Sequence, residues 1–253
     1  MLAVAATLIV RGRAHWGGRI ALRQAIIIVS GVVIYFGVRH LTEGDEVAAL
    51  RHARSLFDFE QALGIARESD MQQSFADTSC GVRVLNWVYI WWHWPVIFMS
   101  AVWLLLWHRH VYYRYRNAIL ISGALGLIVF AMYPVAPPRL VPDLGVVDTV
   151  TAHSSAYRVL QPPAFTNQFA AMPSLHFGWN LLIGLAIAKT GRGLLRVGGI
   201  LMPAAMFVAV VATANHFIID AIAGAALALL GLVLASHGAS LLGRLRPSRG
   251  SDV

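Results

Sequence analysis

Six apolar stretches, each near the length of a membrane crossing, dominate this chain: residues 20–40, 84–107, 117–135, 172–189, 194–213 and 216–236. Crossing a hydrocarbon core of roughly 30 Å takes about 20 mainly apolar helical residues. Within that core each backbone polar group needs a partner inside its own segment, which a helix supplies. The chain is 58% hydrophobic and 13% charged, against roughly a quarter charged in ordinary soluble domains. This excludes a soluble globular domain, a disordered chain and a fibrous repeat. The expected fold is all-α, an integral membrane bundle of six transmembrane helices over residues 20–236. A segment 1–19 precedes it and a basic tail 237–253 follows. The single cysteine, Cys80, excludes an internal disulfide and a cysteine-based metal site. Residues 1–10 are apolar, but Arg11 and Arg13 follow without a small-residue cleavage site, so no secretory signal is expected.

The net charge of +8 sits in short clusters between apolar runs, a pattern of membrane topology rather than nucleic-acid binding. With the N-terminus inside, the cytoplasmic segments hold Arg11, Arg13, Arg19, Arg23, Arg109, Arg114, Arg116, Lys189, Arg192, Arg196, Arg244, Arg246 and Arg249, against one acid, Asp252. The other face holds the remaining 11 of 12 acids and seven basic residues. The positive-inside rule then puts both termini in the cytoplasm. The excess of arginine over lysine suggests a bacterial plasma-membrane protein. Between spans one and two, residues 43–83 carry Val47, Leu50, Leu56, Phe57 and Leu63 at helical spacing, which predicts an amphipathic outer segment on the membrane surface. Residues 136–171 hold Pro137, Pro138, Pro142, Pro162 and Pro163 and read as an ordered outer loop.

Chemistry gathers in three stretches: Tyr133-Pro134-Val135-Ala136-Pro137-Pro138-Arg139-Leu140, Met172-Pro173-Ser174-Leu175-His176 and His216-Phe217-Ile218-Ile219-Asp220. Alternating span directions bring all three to the outer face. Residues four apart share a helix face, so the Asp220 carboxylate can hold one nitrogen of His216 and leave the other as a nucleophile. An acid inside an apolar helix is usually functional. His176 can protonate a leaving alkoxide near neutral pH. Arg139 offers a fork of donors to phosphate oxygens. Pro173 suits a first helical turn, and the helix start with the Ser174 hydroxyl is an anion seat. Together these suit phosphoryl transfer with no metal and no cofactor.

The stretches resemble the signature motifs of the type 2 phosphatidic acid phosphatase superfamily. They are closest to its inositolphosphotransferase branch, which includes the inositol phosphorylceramide synthases. That branch writes P-S-L-H, here Pro173 to His176, and H-[YF]-x-x-D-x-x-[AG]-G, here His216 to Gly224. Residues 133–140 resemble its first motif, particularly in actinobacterial members, and the motif core spans 133–224. The resemblance implies that His216 attacks phosphorus and forms a phosphohistidine, that Asp220 orients it and that His176 protonates the leaving group. It puts Arg139 and Ser174 on the phosphate. Better-known phosphatases of the superfamily carry a lysine where this chain has Met132, a glycine where it has Leu175 and an arginine where it has Val210. Two phosphate-binding charges are thus missing, which favours a diester donor or added work for Arg139 with help from Arg158. The implied partners are a lipid phosphate or phospholipid donor and water or an inositol-type or lipid alcohol as acceptor.

Other readings of the same residues stay open. His216 and Asp220 also fit a structural pair, or with His176 a zinc site in a metal-dependent membrane hydrolase. A non-enzymatic lipid carrier or assembly subunit would also bury such pairs. Arg139 also fits an interface anchor, and Ser174 a plain helix cap. His93 inside span two, Asn215 beside His216 and Arg158 are further pocket residues, although His93 also fits a hydrogen bond to a neighbouring helix. Asp148 and His153 fit a solvated loop or a head-group contact. Tyr112, Tyr113 and Tyr115 read as interfacial anchors, and Gly123, Gly126, Gly224 and Gly231 as points of close helix packing.

Overall fold

Apolar runs become helices here, and proline, glycine and capping residues decide where each one stops. The computed structural model describes residues 18–41, 44–76, 79–150 and 167–244. Among them are α1 (Gly18–Leu41), α2 (Glu46–Ala62), α3 (Glu68–Ala76), α4 (Ser79–Trp91), α5 (Trp94–Trp107), α6 (Arg109–Met132), α7 (Leu175–Thr190), α8 (Leu194–Ala212) and α9 (Ile218–Arg244). Arg158 and His153 lie outside the described residues, as do residues 1–17 and 245–253.

Helices α1, α6, α8 and α9 are long and apolar enough to cross a membrane. The expected second span is two helices, α4 and α5, bent by 48°. Pro95 opens α5; without an N–H, and with a ring that crowds the preceding turn, it breaks the ladder. Counted as one broken span, the pair makes five candidates in all. The expected fourth span, α7, has 16 residues, short of the usual crossing length, and packs against α5, α6, α8 and α9. It begins at Leu175 with Ser174 as its cap, so Pro173 precedes the cap instead of occupying the first turn. The third span starts earlier than expected, at Arg109. Tyr112 and Tyr115 are buried in the core rather than standing at the interface.

The four glycines expected as packing points, Gly123, Gly126, Gly224 and Gly231, are points of close approach, and Gly178 is another. A Cβ on Gly224 would run into the Ser174 carbonyl, and one on Gly178 would lie 2.5 Å from the Gly224 oxygen. Gly123 and Gly126 meet Trp179 and Leu175, and Gly231 meets the Ala118 carbonyl. These contacts bring the starts of α7 and α9 together, where Ser174 N donates to Asp220 O at 2.9 Å.

Outside the long helices, α2 starts at an Asp45 cap that accepts from Ala48 N at 3.1 Å. Its buried positions are Ala49, Ala53, Leu56 and Glu60, a helical repeat turned toward Val135, Ala136, Val141 and Phe217. Of the apolar residues that predicted the amphipathic segment, Leu56 is buried within the protein, while Val47 and Leu63 are exposed. Small residues face inward because the backbones touch: Ala136 N donates to Ala49 O at 3.2 Å. Val135 also pairs with Phe169 and Ala171, which draws the end of α6 onto the approach to α7.

Candidate active site

Each of the three motif stretches ends in a different local device, and together the three make one site. His176 sits in the first turn of α7, behind the Ser174 cap, whose hydroxyl accepts from Phe177 N at 3.4 Å. His216 sits in the turn between α8 and α9. That turn is tight: Ala214 takes a positive φ of 55°, and the Val210 carbonyl accepts from both Asn215 N and His216 N. Arg139 lies in the 3-10 turn Pro138–Leu140, tied to the same turn by its backbone N–H to Ala214 O at 3.0 Å.

The rings of His176 and His216 stand 5.9 Å apart, centroid to centroid, close enough for one phosphate to touch both. His216 Nδ1 lies 2.8 Å from the Ala171 carbonyl. A carbonyl only accepts, so Nδ1 carries a proton, and in the neutral ring Nε2 then holds the lone pair. The Asp220 carboxylate, expected as the direct holder of this nitrogen, stands back at 3.6 Å. Its Oδ2 accepts from Phe217 N at 2.9 Å. Asp220 is fully buried beside the imidazole, and a backbone carbonyl orients the ring. The physical reason is local: an acid in a first helical turn folds back onto unsatisfied amides.

His176 is held by stacking. Its ring lies against His93 at 4.0 Å and Tyr89 at 4.7 Å. His93 occupies the α4–α5 corner, is buried, and lies 3.5 Å from Asn180 Nδ2. That same amide donates to the His176 carbonyl at 2.8 Å. His93 thus serves both readings of its role, reaching a neighbouring helix and touching the site. Behind it Trp179 stacks nearly parallel at 5.7 Å. Beyond Trp179 an apolar cavity of about 280 Å³ opens between α1, α5, α6 and α7, bordered by Tyr35, Trp94, Leu120 and Ile183.

Arg139 is locked between two partners. Its Nη1 donates to Asn215 Oδ1 at 2.6 Å and its Nε pairs with Asp148 at 3.2 Å. Asp148 is therefore an ion-pair partner, and Asn215 holds the guanidinium through its Oδ1. Met132 is exposed and Val210 is buried, so neither position adds charge. Arg39, near the C-terminal end of α1, donates to Asn167 O at 3.2 Å and lies within electrostatic reach of His93 and His176. Among the described residues no group of three His, Cys, Asp or Glu side chains is arranged to hold a metal ion.

Sequence reasoning missed Tyr89, Asn180, Arg39 and two buried acids, Glu60 and Glu68. Only Glu60 left a signal, since it falls on the same helical face as Ala49, Ala53 and Leu56.

These features define a class: helical membrane-type proteins with paired imidazoles at the ends of their helices, next to a fixed guanidinium. Within that class, a model of the PAP2 superfamily matches residues 54–234, and the chain belongs to that superfamily. Its members are phosphatases and phosphotransferases, and membership points to activity on lipid phosphates. No curated protein and no solved structure matches the chain significantly.

Proposed function

We propose that this protein transfers a phosphoryl or phosphoalcohol group from a membrane lipid through a phosphohistidine, in the manner of the inositolphosphotransferase branch. The observation that carries the reading is the 5.9 Å separation of the two imidazoles, with His216 Nδ1 committed to the Ala171 carbonyl. His216 Nε2 attacks phosphorus; a P–N bond forms as the P–O ester bond breaks. His176 gives its proton to the departing alkoxide. In the second step water or an alcohol attacks, His176 takes back a proton and the P–N bond breaks. Asp220 offsets the positive charge that His216 gains on attack, which is worth most in a buried site.

Arg139, and Arg39 beside His176, hold the phosphate oxygens together with the start of α7. The cavity behind Trp179 takes the lipid tail. In this reading the chain crosses a bacterial plasma membrane six times, with α7 as the short fourth crossing. Both termini are cytoplasmic and the site faces outward. The arginine distribution supports that orientation, and the P-S-L-H and H-F-x-x-D stretches support the branch.

A panel of phospholipids and isoprenoid phosphates, followed by mass spectrometry with and without an inositol-type acceptor, tests the reaction. The expected result is a new phosphodiester or released phosphate, and its loss by at least about a thousandfold in His216→Ala. Full turnover in folded His216→Ala would overturn the reading.

A further inference from the structure

The helical pair α2 and α3 reaches over the catalytic turn with two acids that the reaction above does not use. Glu60 is fully buried, and Glu68, the first residue of α3, nearly so. Glu60 Oε1 accepts from Ile219 N at 2.7 Å, and Glu68 Oε1 accepts from Ile218 N at 3.1 Å. Phe217 N goes to Asp220 Oδ2. The first amides of a helix have no partner within it. At the start of α9 three successive amides each meet a carboxylate oxygen, and two of those oxygens come from residues about 150 positions away in sequence (separations of 150 and 159).

Glu60 and Glu68 thus bring two buried carboxyl groups onto adjacent amides of one turn, Ile219 N and Ile218 N. Ionised carboxylates only accept, so two such groups side by side can bond to each other only if one of them carries a proton. Burial pushes the Glu60 carboxyl up to about 9, with the neighbouring Glu68 and Asp220 adding to the effect against the bond from Ile219 N–H. Both remaining oxygens, Oε2 of Glu60 and of Glu68, are buried without an N–H or O–H donor among the described residues. The groups facing Glu60 are therefore Glu68 from α3 and Asp220 from α9, with His216 beyond Asp220.

We propose that Glu60 and Glu68 form a proton-sharing acid pair that caps α9 and so positions His216 and Asp220 for attack. The outer helical pair is then part of the reaction centre instead of a cover. A pair holding one proton keeps one negative charge at a helix start, where the dipole favours it. A doubly ionised pair repels itself and pulls away from the amides. These are positioning residues, acting through the turn that carries His216. The catalytic part of this role rests on the reaction proposed above, whereas the shared proton does not.

Infrared spectroscopy of the full-length protein in detergent at neutral pH reads the proton directly. The expected result is the C=O stretch of a buried protonated carboxylic acid, absent in Glu60→Gln. Thermal unfolding from pH 5 to 8 gives a second reading. The folded state holds one proton more than the unfolded chain between the usual carboxylate range and about 9. Wild-type stability therefore falls as pH rises through that window, relative to Glu60→Gln. In turnover, Glu60→Ala loses about tenfold or more in kcat with KM little changed, and Glu60→Gln restores most of that loss because its amide oxygen still caps Ile219.

Absence of the carboxylic acid band overturns the proposal, as does a folded Glu60→Ala with wild-type kcat, or a Glu60→Gln as impaired as Glu60→Ala. Should Glu60→Ala fail to fold, the band and the pH trend in Glu60→Gln decide the matter. A wild-type protein that turns over no lipid phosphate would remove the proposed reaction, and the acid pair would still stand or fall by the band and the pH trend.

Discussion

At the residue scale, the guanidinium of Arg139 makes two contacts within the protein and, in the proposed reaction, a third with phosphate. It pairs with Asp148 through Nε, donates to Asn215 through Nη1 and, in the reaction proposed above, gives Nη2 to the phosphate. Only a planar fork of donors allows that. Arg139→Lys keeps the charge and loses the geometry. Hydrogen bonds to charged groups are worth about 1.5–3 kcal/mol, so kcat/KM for the lipid substrate should fall by roughly 10–100-fold. Kinetics on the substrate found by the lipid panel check this, and an unchanged kcat/KM would show that Arg139 does not touch phosphate. The motif made Arg139, His176 and His216 legible because their residue types and spacing are local. It did not reveal that a main-chain carbonyl, at Ala171, orients His216. Any residue has a carbonyl, so no side chain marks that position.

At the element scale, the contact between α7 and α9 sets the distance between the two imidazoles. Gly224 packs its backbone against the Ser174 carbonyl with no room for a Cβ. Gly224→Ala must push α9 away from the helix that carries His176. Such overpacking costs about 1–3 kcal/mol, to be seen as a lower thermal midpoint in detergent. Activity should fall further than stability, because a displacement of about 1 Å between catalytic groups costs on the order of a hundredfold. Normal activity in Gly224→Ala would mean that the two helices need not touch. The four glycines were readable as contact points from their place in apolar runs. The α4–α5 break was not read, although Pro95 stands in the expected second span. Hydropathy alone sees one continuous run across residues 84–107 and ignores the missing amide.

At the scale of the whole molecule, the arrangement divides the chain between a lipid-facing bundle and an outer layer. The bundle shows Val33, Phe98, Met99 and Leu201 at its surface, as a helical protein in hydrocarbon does. The outer layer is α2, α3 and the loop after α6, bound to the bundle by Gln72, whose amide donates to Val147 O and Ala212 O. His52 joins it to the end of α6 through the Pro134 carbonyl at 2.8 Å and by stacking on Tyr133. The orientation proposed above puts this layer outside the cell. Cys80 is the single cysteine of the chain and is exposed at the start of α4. A membrane-impermeant maleimide should therefore label Cys80 in intact cells. It should not label Arg192→Cys in a Cys80→Ser background until the cells are opened. The reverse pattern would invert the topology and move the site to the cytoplasm.

What the sequence determined by itself was everything carried by neighbours along the chain. The lengths of the apolar runs, the side on which arginines gather, the Ser174 cap and the i, i+4 placement of His216 and Asp220 all follow from short-range pattern. The tertiary structure alone decided which atoms meet across the fold: the Ala171 carbonyl on His216, Asp148 and Asn215 on Arg139, Glu60 and Glu68 on α9. The reason is physical. A buried polar atom must find a partner wherever packing supplies one, and for Ile219 and Glu60 that partner lies 159 residues away, beyond the reach of any local pattern.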